Sequence, residues 1–124
     1  MRFKPSLADI ANAGNVIELP VFVLDEIIFP SEPATLELRT GSMMTLAAIV
    51  MAEARANADS CFCIAIDPES PVGTVARVDP RYPSLDWVSG GLRLCVVGIG
   101  RYYYVRRGHG SAQFPLIRVR QFTD

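Results

Sequence analysis

The chain has 124 residues, 50% of them hydrophobic, with a mean hydropathy of +0.25 and a formal net charge of −1. That length fits one domain with its own core, the composition excludes a disordered chain, and the balanced charge selects neither nucleic acid nor an anionic membrane as partner. No stretch approaches the roughly 18 apolar residues of a membrane-crossing helix, and the start, Met1-Arg-Phe-Lys-Pro-Ser6, lacks the apolar run of a signal peptide. The three cysteines are an odd number, and Cys61 and Cys63 are too close along a strand to bridge without distortion. A reduced, cytoplasmic setting is therefore expected.

Residues 1–15 read as an amino-terminal extension, with a helical turn from Ser6 to Ala13, and residues 16–124 as the domain. Val16 to Leu24 is the first expected strand; Asp25-Glu26 interrupts it, and Ile27-Ile28-Phe29 runs into Pro30, which cannot donate to a ladder and so belongs at a strand end. Pro33 to Arg39 alternates as a second strand, with Leu36 and Leu38 on one face. From Gly41 to Ala56 the spacing predicts the main helix, capped by Thr40 or Ser42. Its apolar stripe is Met43, Leu46, Ala47, Val50 and Ala54, with Ile49 and Met51 beside it.

Cys61 to Ile66 is a continuous apolar run, the mark of a strand covered on both faces. After a turn at Pro68 to Pro71, Val72 to Val78 is rich in β-branched residues and forms the next strand. Asp79 to Gly91 reads as a long, turn-rich connection. Leu92 to Arg106 is a long strand bent at Gly98 and Gly100, Arg107 to Ser111 a hairpin loop, and Ala112 to Phe122 the last strand. Many short strands and one early helix predict an α+β domain built on a mainly antiparallel curled sheet or small barrel.

Three segments in order carry a resemblance: Leu19-Pro-Val-Phe-Val-Leu-Asp-Glu-Ile-Ile-Phe-Pro30, then Val72-Gly-Thr-Val-Ala-Arg-Val78, then Val96-Val-Gly-Ile-Gly-Arg101. From Glu18 to Phe122 the chain resembles the amino-terminal domain of Lon-type ATP-dependent proteases. The resemblance implies a pseudo-barrel related to PUA domains, with the helix across one opening. It also implies a non-catalytic role: recognition of polypeptide, such as a substrate or unfolded segment, and self-association. The matching motifs shape strands and turns and assign no contact residue. The chain departs from the family where glycine usually follows Phe-Pro, having Ser31-Glu32-Pro33, and the Arg39-Thr40-Gly41 lead into the helix is short. It ends at Asp124, where family members continue into a helical segment and the ATPase. Met1 at its start favours a stand-alone relative over a fragment.

Catalytic chemistry finds little support. There is no Gly-x-x-x-x-Gly-Lys-Ser/Thr loop, and the one lysine, Lys4, stands beside Pro5, which argues against a buried Ser–Lys pair. His109, the single histidine, sits between Gly108 and Gly110 in a loop and reads as turn chemistry. Cys61, Cys63 and Cys95 lack the spacing and the fourth ligand of a zinc site, and their apolar neighbours read as core. No catalytic residue, cofactor or metal is expected.

Two features suggest partners. Residues 1–69 hold ten acids against four bases and residues 70–124 eight arginines against three acids, a split of −6 against +5. With Arg101-Tyr-Tyr-Tyr-Val-Arg-Arg107, this split raises RNA binding as the alternative function, since arginine neutralises phosphate and tyrosine stacks on bases. Against it, Tyr102 and Tyr104 share one strand face and Tyr103 the other, so some of the rings fill the core. The ranking is a polypeptide or protein partner first, with self-association, and nucleic acid second. The candidate contact residues are Tyr82, Leu85 and Trp87 in the long connection, joined by Met43 and Met44 at the start of the helix. Trp87 has two placements: on an exposed contact surface, or folded back into the barrel mouth.

Overall fold

The computed structural model describes residues 16–25, 28–29, 31–108 and 116–121. The expected turn over Ser6–Ala13, the loop around His109 and the first part of the last strand lie outside them. The elements are β1 (Ile17–Val23), β2 (Pro33–Leu38), α1 (Gly41–Ala56), β3 (Phe62–Ala65), β4 (Val72–Val78), β5 (Leu85–Val88), β6 (Gly91–Arg107) and β7 (Leu116–Gln121).

Every strand belongs to one 7-stranded sheet, antiparallel except where β1 runs parallel to β3. β6 is its spine. Its first half pairs with β2 on one edge and β5 on the other, and its second half pairs with β7 and β4. Because β7 also pairs with β1, the strands β6, β4, β3, β1 and β7 close a ring. This is the expected α+β curled sheet.

Closure needs curvature, and β6 supplies it. Val75 pairs with Gly100 and Ala76 with Gly98, so Ile99 is an extra residue between the two glycines expected to bend the strand. A second extra residue, Val105, lies between Tyr104 and Arg106.

Alternation along the strands divides the core in two. Phe22, Phe62, Ile64, Leu94 and Val96 face α1, which buries Leu46, Ala47, Val50 and Met51 against them. The opposite face points into the ring, where Leu19, Val21, Cys63, Val75, Ile117 and Val119 surround Tyr102. The β3 run Phe-Cys-Ile-Ala is buried throughout, as a strand covered on both faces should be. Met51, which the periodicity puts beside the stripe, is buried, whereas Met43 and Ala54 are only partly so. The sheet's curl carries its contact across the helix.

α1 begins where the Thr40 hydroxyl accepts the Met43 N–H at 3.2 Å. It stops at Asn57, which turns to extended backbone while its N–H still reaches the Glu53 carbonyl. The Asp79–Gly91 connection differs from expectation, because β5 forms within it. Leu85 and Trp87 alternate with Asp86 and Val88, and the two-residue turn Ser89-Gly90, with Gly90 at φ 82°, returns the chain into β6. The serine and glycines that read as loop are the turn of a hairpin.

Candidate protein-contact surfaces

Two groups of large apolar side chains at the surface of the described residues stand out. The first is the β5 hairpin. Asp79 anchors its start: the carboxylate is 2% exposed, accepts the Arg81 backbone N–H at 2.9 Å, and holds the Arg81 guanidinium at 3.0 Å. That side-chain hydrogen bond holds the Asp79 carboxyl below its ordinary value against the opposing effect of desolvation. The Arg81 guanidinium lies 5.7 Å from the Tyr82 ring centroid, so the anchor also orients Tyr82.

Further along, Leu85 packs on the α1-side core while Trp87, paired with Leu92, is 81% exposed. The barrel-mouth placement of Trp87 is thereby excluded. Of the candidate contact residues, Trp87 and Tyr82 stand at the surface; Leu85, Met43 and Met44 are partly buried and pack against the core.

The second place is a cleft that sequence reasoning missed. It encloses about 250 Å³ between the ends of β3 and β4 and the 28–29 segment, with Ile28 and Ile64 among its lining and Phe29, Ile66 and Val72 exposed around it. The Thr74 hydroxyl donates to the Ile28 carbonyl, tying the 28–29 segment to β4. Arg101 is the one charged residue lining it among the described residues. The signals were present as an exposed Phe29 before a proline and an Ile66 after a buried run, but three distant segments meet there.

The Arg–Tyr segment separates by face. Tyr102 is wholly buried in the ring, and burial pushes its phenol far above the ordinary value; its hydroxyl has no hydrogen-bond partner among the described residues. Tyr104 packs beside it and Tyr103 is exposed, which matches the alternation. The uneven charge along the sequence is compensated in part in space. Acids of the first half meet arginines of the second in Glu18–Arg118 at 3.4 Å, Asp59–Arg77 at 3.6 Å and Glu69–Arg107 at 3.4 Å.

Cys61 and Cys63 lie in the ring's core and Cys95 is partly buried beside Thr35. Burial, with Cys61 beside it, pushes the Cys63 thiol well above its ordinary value. No group of three potential metal ligands occurs among the described residues, and none of their helices is long and apolar enough to cross a membrane.

Compared by sequence, the chain matches no family model and no curated protein. Compared by structure, it is similar to a Lon N-terminal domain protein from Xanthomonas campestris, with a TM-score of 0.62 and 19% identity over 85% of this chain and 59% of that one. It is also similar to the N-terminal domain of the Mycobacterium avium complex Lon protease, with a TM-score of 0.65 and 18% identity over 87% of this chain and 56% of that one. The chain thus spans less than two thirds of either structure. The fold is that of Lon amino-terminal domains.

Proposed function

We propose that this Lon N-terminal-like domain is a non-catalytic module that recognises polypeptide, with Trp87 and Tyr82 as its principal contact residues. The observation that carries the reading is Trp87, 81% exposed on a strand locked into the sheet. A large aromatic held rigidly in water gives up little conformational freedom on binding and buries much apolar area, the properties of an interface anchor. Leu85, packed on the core two residues earlier in β5, and the Asp79–Arg81 anchor before it keep the hairpin in place, so the surface is preformed.

The same surface supports self-association as a second use, since among the described residues β5 pairs only with β6. The missing phosphate loop supports a role without ATP turnover. RNA binding ranks lower because the cross-pairs Glu18–Arg118 and Glu69–Arg107 take up arginines that phosphate would need.

The test is binding of a fluorescently labelled, permanently unfolded protein such as carboxymethylated α-lactalbumin, at low and moderate salt. The expected result is binding that changes little with salt and weakens severalfold in Trp87→Ala, while the melting temperature stays near wild type. A labelled RNA binding more tightly than the polypeptide, with affinity falling steeply as salt rises, would reverse the ranking, because each neutralised phosphate releases counterions.

A further inference from the structure

The cleft beside β4 is separate from the Trp87 surface, and its chemistry is more specific. Its exposed wall residues are apolar: Phe29 at 53%, Ile66 at 52% and Val72 at 41% exposure. Only Arg101 among its lining residues is charged, and its guanidinium has no hydrogen-bond or ion-pair partner among the described residues. Among the described acids next to the lining residues Ile66 and Ser70, Glu69 meets Arg107 at 3.4 Å and Asp67 accepts the Glu69 backbone N–H at 2.8 Å. Among the described residues the cleft therefore offers an apolar enclosure with one cation, Arg101, that has no ion-pair partner.

Size narrows the occupant. A volume of about 250 Å³ lies below the roughly 300–1,000 Å³ of sites that enclose drug-sized ligands or cofactors, and suits a single large side chain. An occupant that fits must carry an apolar group and an anion close together. Within a polypeptide, the terminal residue does so, because its side chain and α-carboxylate share one Cα. A guanidinium fork matches a carboxylate with two parallel N–H···O bonds. The apolar surface also continues past the cleft, where exposed Tyr103 pairs across the strands with Val72, giving the preceding residues a track that a short free acid would leave empty.

We propose that this cleft binds the carboxy-terminal residue of a partner polypeptide, with its apolar side chain in the enclosure and its α-carboxylate on Arg101. The assignment rests on the reading that the chain recognises polypeptide, but not on Trp87.

The experiment is fluorescence anisotropy with short peptides labelled at the amino terminus. One ends in phenylalanine with a free carboxylate, a second is the same peptide amidated, and a third ends in serine. The free-acid phenylalanine peptide is expected to bind about tenfold or more tightly than its amide, the usual scale for a hydrogen bond to a charged group. Arg101→Gln should erase that difference without lowering the melting temperature, Arg101→Lys should keep part of it, and Ile66→Ser should weaken the phenylalanine peptide towards the serine one.

Equal binding of acid and amide overturns the proposal, as does a preference that survives Arg101→Gln. 3-Phenylpropionate competing as well as the peptide would overturn the polypeptide assignment, and an RNA oligonucleotide bound through Arg101 in place of peptide would do the same. Unfolded protein that still binds through Trp87 while the free end is ignored sinks only the cleft. Failure of every polypeptide to bind sinks both readings.

Discussion

The two halves of β6 treat a large aromatic in opposite ways. In the second half both edges are paired, by β4 and β7, the ring closes, and Tyr102 is 0% exposed at its centre. In the first half the partners are β2 and β5, neither of which has a second strand partner among the described residues, and Trp87 on β5 is left almost entirely in water. Aromatic content alone cannot separate structure from contact. Closure can: where the sheet returns on itself an aromatic becomes core, and where it ends an aromatic becomes surface.

The sharpest way to break this comparison is to remove the ring's central side chain. Tyr102→Ala should cost about 3–5 kcal/mol, the range for truncating a large buried aromatic. On a chain of this length that lowers the melting temperature by roughly ten degrees or more. A variant melting within two or three degrees of wild type on that rough scale would mean the ring interior is not a packed core.

Gly73 comes next. A Cβ there would collide with the Tyr102 ring and hydroxyl, so the glycine exists to let β4 pass close behind the tyrosine. Gly73→Ala should destabilise by about 1–3 kcal/mol, as overpacking does. The double variant Gly73→Ala with Tyr102→Ala should cost less than the sum of the two single changes, because the added methyl then meets no ring. Chemical denaturation of the single and double variants measures both.

A smaller effect, of opposite sign, is expected at Ser31. Its φ of 68° is the left-handed conformation that suits glycine, held while its N–H bonds the Gly98 carbonyl at 2.7 Å. Ser31, where the Lon resemblance leads one to expect glycine, thus holds a backbone that suits glycine. A left-handed residue with a side chain costs roughly 1–2 kcal/mol, part of which glycine returns through its freedom in the unfolded chain, so Ser31→Gly should stabilise by up to about 1 kcal/mol. A lower melting temperature for that variant would contradict the strain.

The open half has its own, weaker dependence on pH. The folded state holds the Asp79 carboxyl below its ordinary value, so the Asp79–Arg81 contact stabilises the fold above the unfolded carboxyl pKa of about 4. That contribution is lost as the pH falls through the still lower folded value. Asp79→Asn should flatten the acid limb of the stability curve and leave neutral-pH binding by Trp87 nearly unchanged. An acid limb identical to wild type would remove Asp79 as the anchor.

Much of this fold was legible because local rules and tertiary structure agree. The helix keeps the bounds set by Thr40 and its apolar spacing, Val72–Val78 is a strand end to end, and the two bending glycines flank the bulge. What could not be read depends on distance along the chain. The parallel pairing of β1 with β3 leaves no local mark. β5 was hidden because Pro83, Ser84, Ser89 and the glycines dominate their window, although Leu-Asp-Trp-Val alternates. The cleft gathers Ile28, Ile64 and Val72 from three segments, and Arg101, read with its tyrosine neighbours as part of an RNA-like group, instead lines an apolar enclosure. Trp87 was open between core and surface because its local sequence is the same in both cases; only the end of the sheet decides.

Trp87 is the chain's single tryptophan, so its fluorescence reports the contact surface alone. In the free protein the account predicts red-shifted emission, as for indole in water, with strong quenching by acrylamide. Titration with an unfolded, tryptophan-free polypeptide should shift that emission to the blue and protect it from quenching, at the same midpoint as the anisotropy of that same polypeptide when labelled. Binding seen by anisotropy with no change in Trp87 emission or quenching would contradict the claim that this surface holds the partner.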